Sequence, residues 1–270
     1  MQGRPDCRLS AIPAIYATMT DLTFLFPAEL GSAAGLGLLA ASFLGSFITV
    51  ALGIGGGALL LAIMAALMPP AALIPVHGVV QLGSNVFRAY LLRSHVHWVP
   101  IGAFAVGSAI GVTVGGAIAV ELPGGVVLIG VGLFVIFSVL ARPPAWLGKH
   151  GWLAGAISSF LTMFFGATGT FVAAFTKSLH LDRHAHVATH ATLMTLQHGL
   201  KIFAFGILGF AFAPWLAFMV LMVAAGFVGT VAGRHVLIRM TDHGFKRALD
   251  VVLVLISLRL IWQGVASFSQ

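Results

Sequence analysis

Five polar residues recur at helical spacing within one apolar stretch of the chain. They are His77, Gln81, Ser84, Asn85 and Arg88. Positions i, i+4, i+7, i+8 and i+11 fall on one face of a helix, which gains hydrogen-bond donors, a guanidinium group and an imidazole that titrates near neutral pH. Ionisable groups in an apolar helix are costly and tend to lie on solute or proton paths. We therefore predict that this face binds a solute, with interhelical hydrogen bonding as the alternative for single residues such as Ser84.

A second polar stripe follows the first at an offset of 113 positions. It consists of His190, Gln197, His198 and Lys201, with Met194 where the first stripe has a glutamine. We predict that the two stripes face each other across a pseudo-symmetry axis. Arg88 and Lys201 lie near the ends of their predicted helices, so snorkelling of either side chain to the aqueous interface is an alternative to solute contact.

A glycine-rich break precedes each stripe. Residues 53–57 read G-I-G-G-G and residues 166–170 read G-A-T-G-T. Around them, residues 46–56 and 159–169 share five identities in eleven positions at the same offset, where chance would give about one. Two internal repeats of about 110 residues are therefore the organising feature of the chain.

The short helix after each break provides a candidate anion site. Its first backbone N–H groups have no intrahelical partner, so the positive end of the helix dipole points toward the break. The candidate ligands are the backbones of Gly55, Gly56, Gly57 and Gly169 and the hydroxyl groups of Thr168 and Thr170. The alternative is that glycines only let helices touch, which is the role that we expect for Gly107, Gly111, Gly115, Gly229 and Gly233.

The composition requires an integral membrane protein. Apolar residues make up 59% of the 270, charged residues only 8%, and 33 residues are glycine, whereas a soluble domain has about a quarter charged residues. Apolar stretches of about 20 residues recur from Gly31 almost to the C-terminus. The 14 Lys and Arg residues lie mostly in short connections, so they indicate membrane topology rather than nucleic-acid binding.

We predict an all-α integral membrane protein with two inverted-topology repeats. Each repeat contains a glycine-broken re-entrant helical hairpin plus three spanning helices. The predicted helices are 31–51, 58–68, 71–92, 99–120 and 123–140, then 152–165, 171–179, 187–205, 214–233 and 248–266. The predicted domains are an N-terminal extension (1–28), repeat 1 (29–141), a cytoplasmic linker (142–151) and repeat 2 (152–270). A parallel four-plus-four arrangement is the alternative.

The distribution of positive charge predicts the orientation. The connections 88–98, 142–150, 177–186 and 234–247 carry Lys or Arg, so the positive-inside rule makes them cytoplasmic. The connections at Glu121 and at 206–213 have neither residue and lie outside. Both termini then lie outside, and Arg4 and Arg8 count against this unless Met19 is the physiological start.

Several kinds of function are disfavoured by what the sequence lacks. The single Cys7 excludes an internal disulfide and a multi-cysteine metal site. There is no pair of intramembrane carboxylates and no nucleophile motif, so we expect no enzymatic activity, no cofactor and no metal. Because donors outnumber acceptors in the predicted site, we expect an anionic solute.

The G-I-G-G-G turn, the following Pro69-Pro70-Ala71, the polar third helix and the weaker second copy resemble the sulfite exporter TauE/SafE family. The resemblance extends from about Gly31 to the end, and the second copy departs from it at Ala167 and Thr168. It implies a multi-pass permease of the bacterial inner membrane for sulfite, sulfonates or related small organic anions.

Our main hypothesis is a secondary transporter that binds a small anion at the membrane midplane, between the repeats, and works by alternating access. An anion channel with the same half-helix site is the alternative, and an intramembrane metal or redox enzyme built on the histidines is a third. The expected partners are the solute and membrane lipid, with no nucleic acid. Proton coupling through a histidine and a homodimer stay open.

Overall fold

The computed structural model describes residues 25–52, 55–119, 122–141, 143–236 and 243–269. Every regular element in these ranges is helical. In chain order the α-helices are α1 (Ser32–Leu52), α2 (Gly56–Leu67), α3 (Pro70–Leu91), α4 (Ile101–Ala119), α5 (Gly124–Leu140), α6 (Gly151–Phe165), α7 (Gly169–Ser178), α8 (Arg183–Ile207), α9 (Leu216–Val236) and α10 (His243–Ala266). Short 3₁₀ helices lie at Arg93–His95, Ala145–Lys149 and Ala213–Trp215.

The ten helices predicted from the sequence are confirmed, with differences at their ends. The largest differences are the starts of α8 and α10, which begin at Arg183 and His243 instead of 187 and 248. Helix α8 begins early because the side chain of Asp182 accepts hydrogen bonds from the backbone N–H groups of His184 and Ala185, as an N-cap does. Most of the predicted N-terminal extension (1–24) and the first two residues of the first break (53 and 54) lie outside the described residues.

At the first glycine break, α2 folds back along α1 as an antiparallel hairpin. Gly55 precedes α2 with φ of 106°, a left-handed value that favours glycine. The two helices are in close contact, since a Cβ atom on Gly45 would lie 2.8 Å from the carbonyl oxygen of Gly56. Further along, a Cβ atom on Gly37 would lie 3.6 Å from Leu67. With 12 residues, α2 is about 18 Å long, little more than half of a hydrocarbon core of about 30 Å.

The second break forms a similar hairpin from α6 and α7. Gly166 ends α6 with φ of 72°, and its carbonyl oxygen accepts a hydrogen bond of 3.0 Å from the hydroxyl of Thr162. Gly151, at the start of α6, packs against Phe175 near the end of α7, so the two helices are antiparallel. With ten residues, α7 is about 15 Å long.

Small residues hold the long helices together. The most extensive helix contacts are α4 with α6, α1 with α9, α5 with α10 and α3 with α8. A Cβ atom on any of the predicted contact glycines would meet a backbone carbonyl of the neighbouring helix; these glycines are Gly107, Gly111, Gly115, Gly229 and Gly233. The packing role predicted for them is therefore confirmed.

The outer faces of the helices are apolar. Four helical segments are long and apolar enough to cross a membrane: Ser32–Val50, Ile101–Ile118, Ala213–Gly233 and Arg247–Ala266. On α4, exposed Val106, Ile110, Val114 and Ile118 follow one another at four-residue intervals, on a surface suited to lipid. Helices α3 and α8 are long enough to span as well, at 22 and 25 residues, but they carry the two polar stripes.

Candidate functional site

The two polar stripes meet where α3 and α8 cross. The imidazole rings of His77 and His198 lie edge to face, with centroids 6.3 Å apart and an interplanar angle of 78°. Lys201 passes beside the backbone of the next residue on α3, because a Cβ atom on Gly78 would lie 2.7 Å from its Cε atom. The early part of α3 therefore faces the late part of α8.

A cavity of about 80 Å³ lies beside this crossing, between the two glycine breaks and the second half of α3. At about 30 Å³ per water molecule, it has room for roughly two or three waters or one small ion. It is lined by Thr49, Gly55, Gly57, Ala58, Gln81, Asn85, Arg88, Ser138, Ala167, Gly169, Thr170, Ala173, His190 and Met194. We call it the Arg88 cavity.

The structure brings many of the predicted site residues together here and leaves others elsewhere. Those that line the Arg88 cavity are Gly55, Gly57, Gln81, Asn85, Arg88, Gly169, Thr170 and His190. Those that lie away from its lining are Gly56, His77, Ser84, Thr168, Gln197, His198 and Lys201. The division does not follow the offset of 113, because residues that it pairs, such as His77 and His190, have different surroundings.

Arg88 provides the positive charge of the cavity. Its Nη2 atom donates a 3.2 Å hydrogen bond to the hydroxyl of Ser84, so Ser84 orients the guanidinium group from behind. Its Nε atom is buried and has no hydrogen-bond partner in the part of the chain that the structure describes. No carboxylate is among the residues that line the cavity. Arg88 is thus left with donor capacity for an anion.

Both leading histidines are tied to the start of a short helix. The Nε2 atom of His190 donates to the carbonyl oxygen of Gly169, and that of His77 donates to the carbonyl oxygen of Gly57, each at 3.3 Å. A carbonyl oxygen only accepts, so the proton is on Nε2 in both rings. His190 borders the Arg88 cavity, whereas His77 is fully buried.

The starts of the short helices add donors to the cavity. No side chain caps α2 or α7, so their first N–H groups receive no side-chain acceptor. The hydroxyl of Thr170, in the first turn of α7, is buried and lacks a partner among the described residues. Thr168 differs from it, because its Oγ1 atom accepts a 2.6 Å hydrogen bond from Gln197 Nε2. Gln197 also donates to the carbonyl oxygen of Ser158, so Thr168 and Gln197 connect helices away from the cavity.

His198 and Lys201 are fully buried behind the cavity. Neither ring nitrogen of His198 has a hydrogen-bond partner within the described ranges, and the same holds for the Nζ atom of Lys201. Helix α8 continues to Ile207, more than a turn beyond Lys201. The snorkelling alternative is therefore wrong for Lys201, which lies in the protein interior.

Sequence reasoning missed two polar residues of the cavity. The hydroxyl of Thr49 donates to the carbonyl oxygen of Gly45, and that of Ser138 donates to the carbonyl oxygen of Phe134, both at 2.8 Å. Thr49 is identical to Thr162 at the offset of 113, and this signal could have identified it. Nothing in the pattern marks Ser138, which lies in an apolar helix far along the chain.

A second, larger cavity of about 480 Å³ lies at the opposite end of the α3–α8 crossing. Its lining is apolar: Pro70, Ala71, Ile74, Pro75, Leu122, Gly124, Val127, Met163, Phe164, Phe205, Leu208, Gly209 and Phe210. We call it the apolar cavity. It borders the first turns of α3 and the end of α8.

Spanning-length helices with apolar outer faces around a basic cavity define an all-helical, multi-pass membrane protein. The family model described as Sulfite exporter TauE/SafE matches residues 38–260, which is most of the chain. The chain therefore belongs to the sulfite exporter TauE/SafE family of membrane transporters, as its glycine motif predicted. No curated protein and no solved structure matches it.

Proposed function

We propose that this protein is a secondary transporter of small anions, with sulfite, sulfonates or related organosulfur anions as its substrates. The solute binds in the Arg88 cavity, between the two repeats, and crosses by alternating access. One observation carries the proposal: a small cavity joins Arg88, His190, the Thr170 hydroxyl and the starts of both short helices.

The donor set favours an oxyanion. Arg88 and the Thr170 hydroxyl have unused hydrogen-bonding capacity, and the uncapped starts of α2 and α7 add the positive ends of two helix dipoles. A guanidinium group binds planar or tetrahedral oxyanions through several oxygens at once. The volume of about 80 Å³ suits a small head group and not a large organic anion.

Helix directions support inverted repeats. Along α1 and α9, Phe43 meets Gly229 and Phe47 meets Gly233, so these two helices run in parallel. The contacts between α4 and α6 advance in the same sense. Each of these pairs joins the first helix of one repeat to the fourth helix of the other.

The matching helices of the two repeats pair in antiparallel fashion. Gly125 of α5 lies beside Gly264 of α10, and Gly132 lies beside Ser257, so the contacts run in opposite directions. The α3–α8 pair is also antiparallel. Exchange of the two repeats leaves this set of pairs unchanged, as a pseudo-twofold axis requires. Antiparallel pairing of equivalent helices supports an axis in the membrane plane and re-entrant hairpins that meet near the midplane.

The charged connections support an inward-facing state. The Ser178 hydroxyl donates to the carbonyl oxygen of Gly148 at 2.7 Å, and the rings of His95 and His184 lie 5.3 Å apart, so these connections share one end of the molecule. They carry Arg93, Lys149, Lys177 and Arg183, so the positive-inside rule makes this end cytoplasmic. The Arg88 cavity lies nearer to this cytoplasmic end than to the other, as expected for an inward-facing state. We take the bacterial inner membrane as the location that the family implies.

The carrier is favoured over the channel with the same donors. A channel needs a continuous polar path, whereas His198 and Lys201, beyond the Arg88 cavity, are fully buried. A cavity on one side of a closed polar barrier is what alternating access requires.

Thermal stabilisation of the detergent-purified protein tests the proposal. A ligand that binds only the folded state raises the melting temperature by mass action. We expect stabilisation by one class among sulfite, sulfoacetate, isethionate, taurine, sulfate and simple carboxylates, and its loss in Arg88→Met. Arg93→Met is the matched control, because Arg93 lies at the surface over the Tyr90 ring, 4.8 Å from its centroid. No stabilisation by any anion, or equal stabilisation in Arg88→Met, would overturn the proposal.

A further inference from the structure

We propose that Lys201 and His198, beside His77, form a second, inner anion position, which receives the solute from the Arg88 cavity during the transport cycle. This inference rests on the proposed anion transport and deepens it: the solute passes from Arg88 at the cavity to a second cation, the fully buried Lys201. Both positions are needed for transport, but only the Arg88 cavity is needed for binding in the state described.

The inner position is a cluster of unused polar atoms. Lys201 Nζ, both ring nitrogens of His198 and Nδ1 of His77 are buried and have no hydrogen-bond partner among the described residues. Because the His77 proton is on Nε2, its Nδ1 atom only accepts, so Lys201 and the N–H group of His198 are the donors to an anion. Native proteins rarely leave such groups unpaired, and here several occur together. The His77 atom also borders the second glycine break, since a Cβ atom on Gly166 would lie 3.1 Å from it.

The charges that face the cluster are all basic or neutral. Helix α3 contributes His77 and helix α8 contributes His198 and Lys201, and the Gly166 backbone of the second hairpin lies beside His77. The described carboxylates lie elsewhere: Glu29 and Asp182 are exposed, and Asp250 is on α10. Burial of a cation without a counter-charge is costly, so an ammonium group here calls for an anion from outside the chain.

The cluster lies between the two cavities along α3. Gln81 of the Arg88 cavity is one turn after His77, and Ile74 of the apolar cavity is one turn before it. On α8, Phe205 of the apolar cavity follows Lys201 by one turn. A solute that leaves the Arg88 cavity toward the other face of the membrane therefore meets this cluster first.

The two positions are equivalent under the offset of 113 residues. Arg88 corresponds to Lys201, and His190 beside Arg88 corresponds to His77 beside Lys201. In a pair of inverted repeats, exchange of the two conformations converts one environment into the other. Lys201 is buried in the state described and should become accessible when the cavity opens on the opposite face.

The test compares binding with transport in Lys201→Met, with Lys177→Met as the control for loss of an exposed lysine. Thermal stabilisation by sulfite or the best anion of the panel reports binding, and flux of the same anion into proteoliposomes reports transport. We expect Lys201→Met to keep the stabilisation and to lose flux by about tenfold or more. We expect it to be at least as stable as the parent without anion, because an unpaired buried cation is removed.

The outcomes separate this inference from the proposed function. Normal flux through Lys201→Met would overturn the inner position and leave the anion transporter intact. Absence of binding and flux in the parent protein would overturn the proposed function. If Lys201→Met does not fold, His198→Leu takes its place with the same readouts. This variant removes a neighbouring member of the cluster and leaves the lysine. Normal flux through a folded His198→Leu variant would likewise contradict the inference.

Discussion

The imidazole of His77 meets the imidazole of His198 edge to face, with ring centroids 6.3 Å apart. This contact lies where α3 and α8 cross in antiparallel orientation and joins two polar stripes from distant parts of the sequence. One stripe leads from the contact to Arg88 and the other to Lys201. We expect transport to depend on the residues of both polar stripes.

Gly78→Ala should impair transport without unfolding the protein. A Cβ atom there would lie 2.7 Å from Cε and 3.4 Å from Nζ of Lys201, so the flexible lysine must move. We expect a melting temperature close to that of the parent and a reduced anion flux in proteoliposomes. Gly199→Ala on α8 is the control, since its Cβ atom would have no atom within 4 Å. Equal flux through both variants would mean that the position of Lys201 is unimportant.

Variants of Thr168 and Thr170 should differ in their effects, one on folding stability and the other on anion binding. Thr168→Val removes the acceptor of the Gln197 amide in the interior, which should cost about 1–3 kcal/mol of folding free energy and leave stabilisation by the anion unchanged. Thr170→Val removes an unpartnered hydroxyl at the cavity. It should weaken stabilisation by the anion and leave the folding free energy nearly unchanged. Melting curves with and without anion measure both effects. Loss of anion stabilisation in Thr168→Val alone would contradict the assignment.

Gly56→Ala should prevent the first hairpin from forming. A Cβ atom there would collide with the backbone carbonyl of Gly45 and with the Thr49 hydroxyl, and helix backbones cannot move apart without loss of packing. We expect little monodisperse protein by size-exclusion chromatography in detergent. Gly37→Ala, on the same pair of helices, should behave like the parent, because its Cβ atom would be in ordinary contact at 3.6 Å from Leu67. A well-folded Gly56→Ala variant would show that the close approach is dispensable.

Asp182 should make the start of α8 sensitive to acid. The backbone N–H of Ala185, followed by that of His184, stabilises the carboxylate and lowers the pKa of Asp182. The stabilisation is therefore complete above the ordinary Asp range and is lost as the pH falls through the lowered pKa. We expect the melting temperature of the parent to fall relative to Asp182→Asn between pH 7 and about pH 3, because asparagine caps without titrating. The effect should be small for so exposed a group, and a difference that does not change with pH would contradict the charged cap.

The helices and their close contacts could be predicted from the sequence. The spacing of Gly107, Gly111 and Gly115 predicted a helix contact, because small residues at four-residue intervals let two helix backbones approach closely. The structure confirms this contact. The family was predicted as well, since the G-I-G-G-G turn is followed by a proline pair and a polar helix.

Which residues of the polar stripes border the cavity could not be predicted from the sequence. The offset of 113 makes His77 and His190 equivalent, yet one is buried and the other borders a cavity. The offset in the sequence pairs the two histidines as equals, whereas the packing of the helices gives them different surroundings. Likewise, helical spacing does not distinguish Thr170 at the cavity from Thr168 bound to Gln197, because that pairing depends on how α7 packs against α8.

The most direct test of the account is anion flux into proteoliposomes containing the parent protein, Arg88→Met or Arg93→Met, measured with sulfite, sulfoacetate and isethionate. We predict saturable flux of at least one of these anions through the parent and the Arg93 variant, and flux lower by about tenfold or more through Arg88→Met. Saturable flux that is equal in all three proteins, or none through a folded parent protein, would contradict it.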